Sequence, residues 1–297
     1  MDRHRTRRGF LRTVIAGGSA SLAGCANDVY HLDGTSSTPS TTRSSALSTT
    51  RSSTTPESTR SSTTPESAHL YSRSVREDAL AVGRQLRHGV VSLLFDIGNR
   101  GVEGGTGWFV DDHYIVTNHH VVSDWKAGKT SSAAGYLLDG TKIDIEFVAT
   151  TPPSRFEHEV DIALIRTPSV APYVVPMGSA SSLDRGSPVV MVGNPESIGN
   201  WVISLGEFRK QAYRNELDFQ IPSTHGNSGS PIVDMDGNAV AMEYGGRSQA
   251  NSESKVKNPV PKPAPARVHE RFDYLHKEYA LADPIGEVKS FVHNHRG

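Results

Sequence analysis

The stretch THGNSGSPIV, residues 224–233, places one hydroxyl residue, Ser228, between two short glycine-containing turns. Gly226 can adopt backbone conformations that other residues avoid, and it leaves the backbone open to close approach. Pro231 lacks an N–H group, so it is expected at the start of a β-strand rather than inside one. The stretch therefore predicts a tight turn that presents Ser228 and leads into an apolar strand.

Short apolar runs separated by turn signals surround this stretch. They are GVVSLLF, GTGWFV, HYIVTNHHV, AAGYLLD, KIDIEFVAT, DIALIRT, PVVMVGN, WVISLGEF, LDFQIPS, SPIVDM and NAVAMEYGG. In KIDIEF the apolar residues alternate with polar ones, and Asp236-Gly237 is a strong hairpin signal. Such spacing is typical of an all-β sandwich or barrel. A helical pattern occurs only at the C-terminal end, where Asp283 is a candidate N-cap and Pro284 suits the first helical position.

Composition divides the chain into parts. Residues 34–67 are almost entirely Ser, Thr, Pro, Arg and Glu, and TRSSTTPES occurs at 50–58 and again at 59–67. Such a segment cannot bury enough apolar surface to offset its ordering entropy. We therefore expect a disordered Ser/Thr-rich stalk over 26–75 and a globular domain over 76–297. Within the domain, the polar stretch 247–272 is expected to be a mobile surface loop.

The N-terminal segment RTRRGFLRTVIAGGSASLAGC has an Arg-rich start and a short apolar stretch. This layout is typical of an export signal, and the apolar part is shorter than the ~20 residues of a bilayer span. Arg7-Arg8 resembles a twin-arginine signal, and LAGC at 22–25 resembles a lipoprotein cleavage box with Cys25 as the lipidated residue. Residues 1–25 are therefore predicted to direct export and lipid anchoring on the outer face of the cytoplasmic membrane. Cys25 is the only cysteine, so no intrachain disulfide can form.

Three segments contain candidate catalytic residues, and along the chain they are VTNHHVV at 116–122, VDIALIR at 160–166 and GNSGSP at 226–231. An activated serine needs a histidine to accept its proton and a carboxylate to hold that histidine in the correct tautomer. The order His, Asp, Ser resembles that of the trypsin-like serine protease family. GTGWFV at 105–110 resembles the family's Gly-Ser-Gly-Phe strand before the histidine, and VVMVGNP at 189–195 resembles a strand of the bacterial Deg/Htr-type branch. GNSGSP and the later Gly245-Gly246 pair are similar to the glutamyl endopeptidase branch.

The resemblance implies an all-β fold of two six-stranded antiparallel barrels with a short C-terminal helix and the active site between the barrels. It implies a catalytic triad of His120, Asp161 and Ser228, and an oxyanion hole formed by the N–H groups of Gly226 and Ser228. His119 is expected on the opposite face of the strand, as a partly exposed structural histidine.

Two further expectations concern what the site lacks. Digestive trypsin-like enzymes carry an aspartate before the serine, and here that position is Asn227, so activation by that salt bridge is not expected. No metal or organic cofactor is implied, because His119-His120 are adjacent rather than at ligand spacing on a helix. The formal net charge of −1 gives no sign of a nucleic-acid partner.

The resemblance also locates a substrate pocket before the oxyanion turn and along the strand that leads to Gly245-Gly246. Its expected lining residues are Pro222, Ser223, Thr224, Met242, Glu243, Tyr244 and Gly245. Strand alternation allows only one of Met242 and Glu243 to face the pocket. Met242 is favoured because an unpaired buried carboxylate is costly, and it predicts cleavage after small or medium aliphatic residues. Glu243 would instead predict cleavage after Arg or Lys.

Two functions are compatible with the sequence. The favoured one is a serine endopeptidase that hydrolyses polypeptides through an acyl-enzyme and is held at the membrane through Cys25. The other is a catalytically silent protease-fold module that binds peptides or other partners at the cell surface, because a fold alone does not fix function. The presence of all three triad residues favours the enzyme.

Overall fold

The apolar runs form the strands of two sheets in a computed structural model, which describes residues 69–152, 160–195, 198–211, 216–246, 260–272 and 279–297. The predicted signal over 1–25 with Cys25, and the stalk up to residue 68, lie outside these ranges. Within these ranges, no helix has both the length and the apolar character that crossing a membrane requires.

The first sheet has seven strands in the order β5-β4-β1-β2-β3-β7-β6. Their bounds are β1 Val90–Asp96, β2 Val102–Asp111, β3 Tyr114–Thr117, β4 Ser132–Tyr136, β5 Lys142–Ile143, β6 Glu146–Thr150 and β7 Ala163–Arg166. The KIDIEF run is not one strand, because β5 ends at Ile143 and β6 begins at Glu146. β5 and β6 then form opposite edges of the sheet, so the described strands make an open half-barrel.

The second sheet has the order β10-β14-β12-β11-β8-β9-β13, and an additional β10–β9 pairing closes six of its strands into a barrel. Their bounds are β8 Pro188–Gly193, β9 Val202–Gln211, β10 Leu217–Gln220, β11 Pro231–Val233, β12 Ala239–Gly246, β13 Val268–His269 and β14 Ala280–Pro284. Pro231 begins β11, as its missing N–H predicts. The predicted all-β class with two barrel-like halves is confirmed, although only the second half closes.

Three helices accompany the sheets in the described part of the chain: α1 Arg73–Leu86, α2 His119–Lys126 and α3 Ile285–His295. The C-terminal helix α3 was expected, whereas α1 and α2 were not. Helix α1 begins three residues before the expected start of the domain at 76, and it buries Ala79, Gly83 and Leu86. A Cβ atom on Gly83 would lie 2.4 Å from Ile203 Cγ2, so α1 packs closely on β9.

A shared apolar layer connects the two halves. Along β8, Val189 and Met191 point into the core of the second barrel, whereas Val190 and Val192 join the shared layer. That layer takes residues from both sheets, including Val90, Trp108, Val116, Leu164, Trp201, Ile203 and Met242. Because interiors are close-packed, this layer fixes how the loops of the two halves face each other.

The described part of the predicted mobile loop is attached to the barrel. The Ala264 N–H donates to the Asn200 carbonyl oxygen at 2.9 Å, and Arg87 Nη2 donates to the Ala264 carbonyl oxygen at 2.7 Å. Phe272 is only 3% exposed. The expectation of a mobile excursion is therefore wrong for residues 260–272, and residues 247–259 lie outside the described ranges.

Candidate active site

His120 and Asp161 form a direct contact beside the end of β3 and the start of β7. Strand β3 ends at Thr117, and α2 begins at His119, which places His120 in the first helical turn rather than on the expected strand. His120 Nδ1 lies 2.5 Å from Asp161 Oδ2, and the His120 N–H donates to Asp161 Oδ1 at 3.1 Å. A carboxylate only accepts hydrogen bonds, so Nδ1 is the donor and Nε2 of the neutral ring is free to accept a proton.

His119 has a structural role, as expected, but on a helix rather than a strand. Its Nδ1 lies 2.7 Å from Thr150 Oγ1, and that hydroxyl donates to the Ile162 carbonyl oxygen at 3.0 Å. The ring therefore connects the start of α2 to β6. Because its ring is bound to Thr150, His119 does not take the position beside Asp161 that His120 occupies.

Asp161 is held from both halves of the fold. Asn118 Nδ2 donates to the Asp161 carbonyl oxygen at 2.7 Å, and the Asp161 N–H donates to Asp283 Oδ2 at 3.1 Å. Asp283 belongs to β14, and α3 begins at Ile285 with Pro284 at the N-cap. The expectation that Asp283 caps the C-terminal helix is therefore wrong, because its carboxylate faces the first sheet instead.

The turn that carries Ser228 docks against the first sheet next to β3. The Thr106 N–H donates to the Ser228 carbonyl oxygen at 2.9 Å. Gly229 has a φ of +90°, and a Cβ atom there would lie 2.0 Å from the Thr106 carbonyl oxygen and 2.5 Å from Thr117 Oγ1. Only glycine fits this approach, which brings the Ser228 turn to the strand that leads into His120. No hydrogen bond joins Ser228 Oγ to another described residue.

Neither the Gly226 N–H nor the Ser228 N–H has an acceptor among the described residues. By contrast, the Asn227 N–H donates to the Thr224 carbonyl oxygen at 3.1 Å, and the Gly229 N–H donates to the Glu243 carbonyl oxygen at 2.8 Å. Gly226 has a φ of +92°. Two free donors beside a nucleophile are what an oxyanion hole requires.

Thr106 is a supporting residue that sequence reasoning missed. Its side chain is fully buried, and Oγ1 donates to the Gly226 carbonyl oxygen at 2.8 Å. The same oxygen accepts from the backbone N–H of Asn194 and from its Nδ2, both at 3.1 Å. Thr106 therefore holds the carbonyl of Gly226, the expected oxyanion glycine, in place. Its position within GTGWFV was the available signal, but that run indicated only a strand.

Asn227 is buried and neutral where an aspartate would need a cationic partner. A Cβ atom on Gly193 would lie 2.2 Å from Asn227 Oδ1, so the amide packs tightly beneath β8. Asn227 Nδ2 donates to Ser223 Oγ at 3.5 Å, a weak contact. A neutral amide can occupy this dry position without the ion pair that a carboxylate would require.

The predicted pocket residues do not all face the same space. Met242 has no exposed surface and belongs to the shared apolar layer between the halves, which contradicts its predicted place in the pocket lining. Glu243 is also buried, at 2% exposure, and its Oε1 accepts from Ser223 Oγ at 3.0 Å. Pro222 and Thr224 are buried, whereas Tyr244 and Gly245 are partly exposed. Strand alternation therefore places Glu243, not Met242, beside Ser223.

The carboxylates around His120 raise its pKa. Partial burial of the ring lowers the pKa, but the hydrogen bond to Asp161 and the charges of Asp161, Glu243 and Asp283 raise it by more. Burial raises the pKa of Glu243 to about 7, although the hydrogen bond from Ser223 opposes that change. Burial likewise raises the pKa of Asp283 to about 7.

Tyr244 is tied to the second barrel. Its hydroxyl donates to Glu216 Oε1, and burial together with this bond raises the pKa of the phenol. Across the described residues, no group of three or more His, Cys, Asp or Glu side chains could hold a metal ion.

Comparisons with known proteins agree with this geometry. Residues 105–242 match the family model described as "Trypsin-like peptidase domain". The "Probable periplasmic serine endoprotease DegP-like" of Bartonella henselae is 30% identical over 152 residues, which are 48% of this chain and 28% of that protein. "Serine protease HTRA4" of Mus musculus is 31% identical over 150 residues, which are 46% of this chain and 29% of that protein. The chain thus spans less than a third of the length of these relatives.

A solved structure shares the fold. The crystal structure of Rv3671c from M. tuberculosis H37Rv, a mutant in an inactive form, superimposes with a TM-score of 0.51 at 18% identity, covering 72% of this chain and 89% of that one. Residues 105–242, which include His120, Asp161 and Ser228, therefore match a trypsin-like peptidase domain set in a trypsin-like fold.

Proposed function

We propose that this protein is a serine endopeptidase that hydrolyses polypeptides through an acyl-enzyme. The observation that carries the proposal is the 2.5 Å contact between His120 Nδ1 and Asp161 Oδ2, beside a serine turn packed against Thr106 and Thr117. Asp161 holds the imidazole in the tautomer whose Nε2 can take a proton. The similarity to serine endoproteases over residues 105–242 supports the same chemistry.

The chemistry proceeds in two halves. Ser228 Oγ attacks the carbonyl carbon of the peptide bond while its proton passes to His120 Nε2, and the carbonyl oxygen becomes an oxyanion. The N–H groups of Gly226 and Ser228 donate to that oxyanion. The C–N bond then breaks, the amine leaves with the proton from His120, and Ser228 carries the acyl group. His120 then takes a proton from a water molecule, whose oxygen attacks the acyl carbon. The ester bond to Ser228 Oγ breaks, the acid is released, and His120 returns the proton to Ser228 Oγ.

We further propose that the mature protein acts outside the cytoplasmic membrane. The name of the Bartonella henselae relative includes the word periplasmic. The sequence of residues 1–25 predicts export, and Cys25 is the proposed site of the lipid anchor. Polypeptides would then be cleaved at the cell surface or in the envelope.

A second candidate function is a silent peptide-binding module. It is favoured by one observation, the absence of a hydrogen bond at Ser228 Oγ among the described residues. Such contacts are often long in substrate-free enzymes and shorten when substrate binds, so this observation does not count against catalysis.

Labelling of the full-length chain with a fluorophosphonate separates the two functions. The proposal expects one covalent adduct at Ser228, and Ser228→Ala and His120→Ala should each abolish it. The matched control is Ser290→Ala on the exposed face of α3, which should label like the unmodified protein. Folded protein that never forms the adduct would refute the peptidase and leave the peptide-binding module as the remaining candidate.

A further inference from the structure

The Glu243 side chain lies between the two segments that flank the nucleophile. On one side, the Glu243 N–H donates to the Ser230 carbonyl oxygen at 2.9 Å, and the Gly229 N–H donates to the Glu243 carbonyl oxygen at 2.8 Å. On the other side, Ser223 Oγ donates to Glu243 Oε1 at 3.0 Å. The Glu243 backbone is therefore held beside residues 229–230, which follow Ser228, and its carboxyl group is held beside Ser223.

One oxygen of this carboxyl group has no partner. Glu243 Oε2 is buried and accepts no hydrogen bond within the described part of the chain. No described Lys or Arg forms an ion pair with Glu243. An ionised carboxylate without a partner is costly to bury, and proteins normally satisfy such a group. The substrate-free site is therefore incomplete on one side.

The side of the pocket next to Ser223 is bordered by glycines. A Cβ atom on Gly245 would meet nothing within 4 Å, whereas a Cβ atom on Gly246 would lie 3.0 Å from the Tyr279 carbonyl oxygen and 3.8 Å from Ser223 Oγ. The open space is therefore at Gly245, where a substrate side chain has room beside β12. Ser223 Oγ also keeps acceptor capacity for a second donor beside Glu243.

Resting on the proposed peptidase function, we propose that Glu243 determines specificity by binding the cationic side chain of Lys or Arg on the acyl side of the cleaved bond. An ammonium or guanidinium group would supply the donor that Oε2 lacks and balance the carboxylate charge. An acidic side chain would be repelled, and a neutral one would leave the charge unpaired. Burial of the Met242 side chain in the apolar layer excludes it from this role.

The test is a positional-scanning library of fluorogenic peptides with full-length protein that labels with a fluorophosphonate. We expect kcat/KM after Lys or Arg to exceed that after Leu on the order of 100-fold, the size expected for a buried charge pair. Glu243→Gln, which keeps the shape of the side chain, should remove about that factor for Lys and Arg, so that kcat/KM after Lys or Arg falls to about the value after Leu measured with the same variant. Glu77→Gln on the exposed face of α1 is the matched control and should change neither.

Three results would overturn the inference without touching the peptidase assignment. They are cleavage mainly after Leu, Val or Ala, cleavage mainly after Glu or Asp, and a Lys or Arg preference that survives Glu243→Gln. Absence of labelling would instead refute the peptidase function itself. If Glu243→Gln does not fold, benzamidine with the unmodified protein provides the second measurement. This amidinium probe should inhibit competitively and bind more tightly as the pH rises through about 7, where Glu243 ionises, and inhibition that does not change with pH would contradict the inference.

Discussion

Asp283 on β14 accepts a hydrogen bond from the backbone N–H of Asp161, at 3.1 Å, and so ties the backbone of the proposed catalytic aspartate in one half of the fold to a strand of the other half. Asp161 in turn binds His120 through both carboxylate oxygens. The contact therefore couples the relative position of the two halves to the orientation of the proposed general base. Asp283 is a positioning residue rather than a catalytic one, because it acts through Asp161.

Asp283→Ala should lower kcat of the proposed peptidase about tenfold, because the loss of one charged hydrogen bond of about 1.5–3 kcal/mol frees the Asp161 backbone. Asp283→Asn keeps an acceptor oxygen and should retain most of kcat. Both variants remove a negative charge that raises the pKa of His120, so the acid limb of kcat/KM should move to lower pH. If Asp283 had only a structural role, its substitution would lower the stability of the fold and leave the acid limb of kcat/KM at the same pH.

The acid limb of kcat/KM for the unmodified protein should have its midpoint above the ordinary pKa of histidine. His120 must be neutral to accept the Ser228 proton, and its pKa is raised from 6.5. As the pH falls through that raised value, His120 becomes protonated and kcat/KM declines. The measurement is kcat/KM between pH 5 and 9 with a substrate of fixed charge. A midpoint at or below 6.5 would mean that the surrounding carboxylates do not act as described.

Much of the fold and of the candidate site could be predicted from local sequence. The apolar runs predicted strands, and the motifs singled out His120 and Asp161, whose side chains are in direct contact, and Ser228, whose turn packs against Thr106 and Thr117. These features depend on short segments with their own turn and strand preferences. Helix α1 was missed although its apolar residues lie on one face, because its first three residues fall within the polar stalk expected over 26–75.

The other misses depend on pairing between distant strands. The sequence around Asp283 predicts a helix cap. In the structure Asp283 lies on β14, which pairs with β12, and its carboxylate contacts the backbone of Asp161. Met242 and Glu243 are consecutive residues of β12, so they face opposite sides of the strand. No local sequence signal decides which of them faces the apolar layer. That choice depends on the register of β12 against β11, in which Pro231 lies opposite Met242, and on the bulge between Glu243 and Gly245.

Thr106→Val should weaken both the site and the fold. The substitution keeps the size of the side chain but removes the donor to the Gly226 carbonyl oxygen and the acceptor for Asn194. Buried polar groups left without partners cost about 1–3 kcal/mol each. We expect a lower urea midpoint and a lower kcat, because the oxyanion turn loses its support. Thr106→Ser keeps the hydroxyl and should recover most of both, and equal losses in the two variants would assign the effect to packing.

Cys25→Ser should release the protein from membranes without changing fluorophosphonate labelling at Ser228. The expectation rests on the LAGC sequence that ends at Cys25. A single acyl chain binds membranes only marginally, so stable anchoring at Cys25 requires two or more chains. Fractionation of cells that express each form, followed by labelling, measures both quantities. Unchanged membrane association of Cys25→Ser would contradict lipid anchoring at this residue.

Glu243→Gln should also stabilise the fold selectively at high pH. The pKa of Glu243 is raised from 4.5 to about 7, so the folded state holds the proton more tightly than the unfolded state. For such a carboxyl group, stability is fully present below pH 4.5 and is lost as the pH rises towards 7. A shift of this size corresponds to about 3 kcal/mol, since each pKa unit is about 1.4 kcal/mol.

The measurement is the free energy of unfolding in urea at pH 5 and pH 8 for the unmodified protein and for Glu243→Gln. Glutamine cannot ionise, so the variant should gain stability relative to the unmodified protein between the two pH values. Asp283→Asn should also gain stability relative to the unmodified protein between the two pH values, because burial raises the pKa of Asp283 to about 7 as well. Glu77→Gln, on an exposed helix face, should show no such gain. If the difference between Glu243→Gln and the unmodified protein is the same at both pH values, Glu243 is ionised in the folded protein at both of them, and its carboxylate would then have to be stabilised by a partner before substrate binds.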